Sequence, residues 1–276
     1  MNVNMNEFIK NNYDVSFYGD RVNREDLSSV DEFLLAESHI QPLGTQRINS
    51  LFIRQFINKE SDLVLVESRP SMQPVNLTEH AQTSQLADGT QAFGWDHSDS
   101  VDQLNALEEK YPQFAVPVKC NQRLSSLIFQ YLNLSEEEQN TRVSEFQPKL
   151  QEIKHDLVKA QQGVSQEDVA AYFVDLKQIS GSSELFEKRT ESMKETLIKA
   201  QEVANKRFLI AGLCHLVQDT ESLGIQNSPE EKQAVGGFLS FLRERNAVVL
   251  LPKDRSIFYA TENCLKTIEK IGSLQA

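Results

Sequence analysis

Three short apolar runs, each followed within a few residues by a carboxylate or a histidine, most constrain how this chain can fold. The runs cover residues 33–35, 63–66 and 208–211. The ionisable groups that follow them are Glu37, Glu67 and His215. Near-continuous apolar runs of this length are typical of strands that helices cover on both faces. Helical periodicity beside each run indicates that helices connect the strands, so we predict an α/β fold with a mostly parallel central sheet flanked by helices.

This topology also predicts where the ionisable groups lie. The carboxyl ends of parallel strands share one edge of the sheet, and ligands usually bind there. If the first strand stays extended past Glu37, alternation puts Glu37 and His39 on the same side of it. The same alternation after the third run packs Cys214 in the core and turns His215 towards the edge. We therefore expect an active site built from two glutamates and two histidines.

Composition limits the partners and the compartment. The chain has 276 residues, a formal net charge of -12 and a pI near 5.0, which disfavours nonspecific attraction to nucleic acid or anionic lipid. Its three cysteines are isolated, as in proteins of reducing compartments. The first residues lack a signal-peptide pattern, and no apolar stretch approaches the length of a membrane span. We expect a cytoplasmic protein, or one exported without such a signal, with no nucleic-acid or membrane partner.

The pattern along the chain suggests an interrupted core. Residues 1–30 read as an N-terminal arm, irregular or with a short helix, and residues 31–120 and 207–276 as the α/β core. Residues 121–206 are almost wholly helical and predict a helical insertion or cap packed on that core. Within the core we expect a long connection at 69–94, a strand at 114–118 and a last strand at 247–251. Ser135, Ser165 and Ser228 predict helix starts, and an acidic residue three positions after Ser165 and after Ser228 supports the last two.

Five segments together resemble a known superfamily, the one that joins erythromycin esterase-like enzymes, ChaN-like haem-uptake proteins and TIKI/TraB-type proteins. The first segment, Leu34-Leu35-Ala36-Glu37-Ser38-His39, is similar to the family's strand that ends in Gly-Glu-x-His, with alanine in place of the glycine. The others are Asp62-Leu63-Val64-Leu65-Val66-Glu67, Phe93-Gly94-Trp95-Asp96, Arg189-Thr190-Glu191-Ser192-Met193 and residues 207–215. In the fourth, Thr190 stands where the family usually has asparagine.

The resemblance implies an α/β fold with a catalytic site of Glu37, His39, Glu67, Arg189 and His215. It also makes Trp95 and Asp96 candidate substrate contacts, with packing as the alternative role for Trp95. The family includes esterases, metal-dependent peptidases and haem binders, so the resemblance does not select one activity. The prediction is a hydrolase of an ester or amide in a small-molecule or peptide substrate.

Two chemistries fit these side chains. With a metal, His39 and His215 supply nitrogen ligands and Glu37 or Glu67 an oxygen ligand for a divalent ion such as Mn, Zn, Co or Fe. The ion activates water, and the remaining glutamate takes the proton. Without a metal, a histidine is the general base, a glutamate fixes its tautomer, and Arg189 stabilises the oxyanion. Two non-hydrolytic alternatives stay open: a ligand-binding protein of the ChaN type that holds haem, and a non-catalytic scaffold that binds partners through its amphipathic helices.

Overall fold

The computed structural model describes residues 4–37, 43–68, 70, 90–132, 134–218, 227–253 and 266–272. Six strands among them form one sheet: β1 (Tyr13–Phe17), β2 (Glu32–Glu37), β3 (Leu63–Val66), β4 (Ala92–Gly94), β5 (Arg207–Gly212) and β6 (Ala247–Pro252). Their spatial order is β1-β6-β2-β5-β3-β4. β1 pairs antiparallel with β6, and all the other pairings are parallel. The predicted α/β fold with a mostly parallel sheet is confirmed.

Helices follow or precede every strand. They are α1 (Met5–Asn12), α2 (Leu43–Phe56), α3 (Ser98–Lys110), α4 (Ala115–Leu132), α5 (Glu136–Gln161), α6 (Gln166–Ser180), α7 (Ser183–Gln201), α8 (Leu213–Leu216) and α9 (Pro229–Leu242). Residues 266–272 are also helical. Ser135, Ser165 and Ser228 each form a reciprocal capping box with the acidic residue three positions on, so these predicted helix starts are confirmed. Within the described part of the chain, no helix combines the length and the apolar character needed to cross a bilayer.

Alternation along the buried strands divides the core into two layers. Leu34 and Ala36 of β2 pack on one face of the sheet with residues of α7 and α9. Phe33 and Leu35 pack on the other face with residues of α1 and α2. Adjacent strand residues point to opposite faces, so a strand that is apolar throughout requires helices on both sides. The apolar runs in the sequence predicted strands that helices cover on both faces, and the strands have such helices on both faces.

A buried ion cluster closes the amino end of the central strands. Glu32 at the start of β2 is 1% exposed and accepts from Arg207 Nη2 at 3.0 Å. Arg245 donates from Nε to the other carboxylate oxygen at 2.7 Å, and its Nη2 also contacts Glu32. Arg207 Nη1 in turn donates to the carbonyls of residues 204 and 205. Charges buried this deeply need such partners, which these residues provide at the edge opposite Glu37.

The long helical region is not uniform. α4 and α5 share a hydrophobic cluster of their own, which also includes Ile271. α7 instead belongs to the main core, because Met193, Leu197 and Ala200 pack under the sheet. α6 contacts α3, and none of the residues of α6 is buried. The four helices thus differ in how closely they are joined to the sheet.

One local expectation was wrong and two were incomplete. Residues 114–118 are not a strand: they end a short 3₁₀ turn and begin α4, where Pro117 falls in the first turn, whose N–H groups have no partner within the helix. The N-terminal arm contains the strand β1, whose pairing with β6 joins segments at the two ends of the chain. The connection at 69–94 ends in the short strand β4, which pairs with β3.

Candidate functional site

The carboxyl ends of four strands carry the candidate residues. Glu37 ends β2 beside Gly212 of β5 in the parallel register. Glu67 directly follows β3, and Asp96 lies two residues after β4. His215 lies in α8, the one-turn helix that follows β5 and contacts β2. The sheet thus places all four groups along the same edge, as the strand pattern predicts.

Arg189 of α7 joins two of these strand ends. Its Nε donates to Asp96 Oδ1 at 2.8 Å, and its Nη2 contacts Glu67 Oε1. The side chains of Arg189, Glu67 and Asp96 are 20%, 16% and 4% exposed, so this ion cluster is largely removed from water. Burial lowers the pKa of Arg189 from its ordinary value, but an arginine stays protonated in proteins. One cation therefore serves two buried carboxylates.

Backbone hydrogen bonds also hold Asp96 in place. Its Oδ1 also accepts from the backbone N–H of His97 at 2.8 Å, and its own N–H donates to the carbonyl of Ser68 at 2.8 Å. Ser68 follows Glu67, so the turns after β3 and β4 are bonded to each other. The two carboxylates are held in place before any ligand arrives.

His215 is enclosed by α7 and by the segment after β4. The residue is 1% exposed, and its Nδ1 lies 3.3 Å from Thr190 Oγ1. The ring stacks on Phe186, with centroids 4.2 Å apart and planes at 10°, and meets Trp95 at 78°. The extended backbone expected at this position is wrong, since residues 213–216 are helical. His215 reaches the edge because β5 ends at Gly212 and the chain turns there.

The side chain of Trp95 packs in the core beside the site. Its side chain is fully buried, and its indole N–H donates to the carbonyl of Ile210 at 2.8 Å. Its own carbonyl accepts from Ser192 Oγ at 2.8 Å, which adds a further bond between α7 and the segment after β4. In this conformation the indole faces His215 rather than solvent. The geometry favours the packing role for Trp95.

Cys214 lies beside the site but is not poised as a nucleophile. Burial raises the pKa of its thiol, although the charge of Arg189 acts in the opposite direction. The neutral thiol is the weaker nucleophile. The predicted packing of Cys214 against the core is confirmed, but it results from the turn of α8 rather than from strand alternation.

A second buried helix residue supports the end of β2. Asn49 of α2 donates from Nδ2 to the carbonyl of Ala36 at 3.1 Å and accepts from the Tyr13 hydroxyl at 3.1 Å. Ala36 immediately precedes Glu37, a residue that is 2% exposed. The backbone that carries Glu37 is thereby tied to α2 and β1.

Sequence reasoning named Glu37, Glu67, Asp96, Arg189 and His215, and the structure brings them to one edge. His39 and most of the connection at 69–94 lie outside the described residues. The positioning roles of three residues were missed: Asn49, Thr190 and Ser192. Thr190 and Ser192 entered the prediction only as members of the segment 189–193, and local patterns do not distinguish a small polar residue on the apolar face of a helix from a solvated position.

The predicted metal ligands are described only in part. No group of three or more histidine, cysteine or acidic side chains that could hold a metal occurs within the described ranges, from which His39 is missing. Glu67, a second predicted ligand, lies against the guanidinium of Arg189. A divalent cation at Glu67 would meet a fixed positive charge, so this carboxylate does not fit a metal well.

The fold and these contacts define an α/β protein with a polar cluster at the carboxyl ends of the parallel strands of a mostly parallel sheet. No protein-family model matches the chain, and searches of curated proteins and of solved structures returned no match.

Proposed function

We propose that this chain is a hydrolase that acts on an ester or amide bond of a small molecule or peptide. The observation that carries the proposal is the attachment of α7 to three strand ends: Arg189 binds Glu67 and Asp96, and Thr190 contacts His215. Buried ionisable groups gathered in this way are expensive unless they are used or fully paired. Such a cluster at the carboxyl edge of a parallel sheet is typical of a catalytic site.

In the proposed reaction the imidazole of His215 takes a proton from the attacking water. Arg189 uses two of its five N–H donors for the carboxylates, and a remaining donor stabilises the oxyanion that forms on the substrate carbonyl. Glu67 and Asp96 hold that guanidinium in a fixed orientation. Glu37, on the neighbouring strand end, is the second acid–base candidate, and the role predicted for His39 stays a prediction.

The metal-free form is the one that we propose. The positive charge of Arg189 beside Glu67 favours it over a divalent ion at the same carboxylate, so no step is assigned to a metal. Dialysis against a chelator, followed by elemental analysis and by addition of Mn, Zn, Co or Fe, checks this choice. Hydrolysis that disappears with the chelator and returns with one ion would contradict it.

A panel of p-nitrophenyl esters and acyl anilides of increasing chain length tests the function. We expect His215→Gln to lower kcat by about 10²- to 10⁴-fold, the contribution of a general base. His155→Gln, at an exposed position of α5, is the matched control and retains the activity. Trp95 fluorescence reports whether each variant keeps its fold. Equal activity in the His215 and His155 variants, or no hydrolysis of any member of the panel, would count against the proposal.

Partner binding is the second candidate, and α6 is the observation in its favour. This helix buries none of its described side chains, and Phe173 and Val174 are 59% and 57% exposed. Neighbouring apolar side chains in water are more often used at interfaces than isolated ones are. A cellular effect that survives His215→Gln but is lost in a Phe173→Ser/Val174→Ser double variant would favour this role over hydrolysis.

A further inference from the structure

Thr190 contacts one of the two ring nitrogens of His215 through its side chain. It is 2% exposed, and its Oγ1 lies 3.3 Å from His215 Nδ1. The same oxygen lies 2.9 Å from the carbonyl oxygen of Phe186, four residues earlier in α7. Both neighbours compete for one hydroxyl group.

The hydroxyl has a single hydrogen, and the carbonyl of Phe186 can only accept. The hydrogen of Thr190 is therefore donated to that carbonyl, and the Thr190 oxygen is left as an acceptor towards His215. In a neutral imidazole one nitrogen is a donor and the other an acceptor. The bond is satisfied only when Nδ1 is the nitrogen that carries the hydrogen.

Packing prevents the imidazole ring of His215 from turning over. Phe186 stacks on the imidazole with centroids 4.2 Å apart, and Trp95 meets it nearly at right angles. Exchanging the two nitrogens requires the ring to turn over between these side chains. The same turn of α7 thus supplies the hydrogen-bond acceptor, Thr190, and the stacking partner, Phe186.

We infer that Thr190 is a positioning residue that holds His215 in the Nδ1–H tautomer and makes Nε2 the nitrogen that accepts a proton. An imidazole in water prefers the hydrogen on Nε2, so this tautomer is imposed by the protein. The assignment of the tautomer stands on geometry alone, whereas its role in catalysis rests on the proposed function. In that role Thr190 does what a carboxylate does in many histidine-based sites: it selects the tautomer without touching the substrate.

Nuclear magnetic resonance of protein labelled at the histidine ring nitrogens tests the inference. At mildly alkaline pH, long-range proton–nitrogen correlations identify which ring nitrogen is protonated, and loss of signals in His215→Gln assigns them. We expect Nδ1–H in the parent chain and in Thr190→Ser, which keeps the hydroxyl. Thr190→Val keeps the shape but removes the acceptor, and we expect the tautomer ratio to shift about tenfold towards Nε2–H.

Turnover of the p-nitrophenyl ester that is cleaved best gives the second readout. Thr190→Val should lower kcat about tenfold or more with KM nearly unchanged, because Thr190 does not contact the substrate, and Thr190→Ser should restore most of the loss. If Thr190→Val fails to fold, Thr190→Ala replaces it, and the tautomer of the parent chain is determined without any substitution at Thr190.

The outcomes separate the two proposals. Nε2–H in the parent chain, or Nδ1–H retained in a folded variant without the hydroxyl, would overturn the role of Thr190 whatever the activity. Nδ1–H in the parent chain together with no hydrolysis would leave the tautomer established and refute the hydrolase.

Discussion

Replacing Arg189 with methionine tests whether α7 holds the strand ends together. The change removes the cation but keeps an unbranched chain of similar length. Asp96 and Glu67, whose side chains are 4% and 16% exposed, would be left as two neighbouring buried carboxylates. Removing one partner from a buried ion pair costs about 3–5 kcal/mol, and two carboxylates sharing that cation place this case towards the upper end. The loss is a large part of the ~5–15 kcal/mol by which domains are stable.

Urea denaturation measures this loss, with the fluorescence of the one tryptophan as the probe. Trp95 is buried next to the cluster, and circular dichroism of the backbone verifies that both signals follow the same transition. The matched control is Lys188→Met on the same turn of α7, where the ion pairs with Asp99 and Glu184 are exposed. We expect its unfolding midpoint to stay near that of the parent.

A double variant distinguishes loss of charge pairing from loss of packing. In Arg189→Met/Asp96→Asn one of the two carboxylates is replaced by a neutral amide, so the double variant should be more stable than the sum of the two single changes predicts, by about 0.5–3 kcal/mol. Two results would contradict the prediction: Arg189→Met destabilises the fold no more than Lys188→Met does, or the two single changes are strictly additive in the double variant. Either would show that the ion pairs of Arg189 with Glu67 and Asp96 do not stabilise the ends of β3 and β4.

Three further predictions concern the rest of the molecule. Glu32→Gln leaves two buried arginines without their counter-charge and should lower the free energy of unfolding by about 3–5 kcal/mol in a urea titration. Because the cluster is buried, this loss should depend little on salt. Glu60→Gln, at an exposed position, is the control and should leave the unfolding midpoint unchanged. Ser228→Ala removes the N-cap of α9 and should cost about 1 kcal/mol in the same assay; restored stability in Ser228→Asp would identify the cap as the cause. The raised pKa of Cys214 keeps its thiol protonated at neutral pH. Alkylation of Cys214 by iodoacetamide, followed by mass spectrometry, should therefore be slower than that of free cysteine and should accelerate as pH rises. Rapid labelling of Cys214 in the folded protein would contradict this.

The sequence predicted the elements whose cause is local. Apolar runs with helical segments between them indicated a mostly parallel sheet, because strand alternation and helix periodicity depend on neighbours in the chain. The same reasoning brought Glu37, Glu67 and His215 to one edge, since that edge is a property of topology and not of detailed packing. Ser228 and the other caps were readable because a cap satisfies N–H groups only three residues away.

Tertiary structure decided what surrounds these groups. Arg189 and Asp96 are 93 residues apart, and apart from the family-like segment 189–193 no local pattern in α7 distinguishes a buried arginine from a solvated one before the helix is packed under the sheet. Thr190 became the partner of His215 because the chain turns at Gly212 instead of continuing as a strand. β1 was missed because an edge strand is stabilised by its partner, here β6 from the far end of the chain, and not by its own residues. Local patterns determine which elements form, and the contacts that tune a site depend on which distant side chains those elements bring within reach.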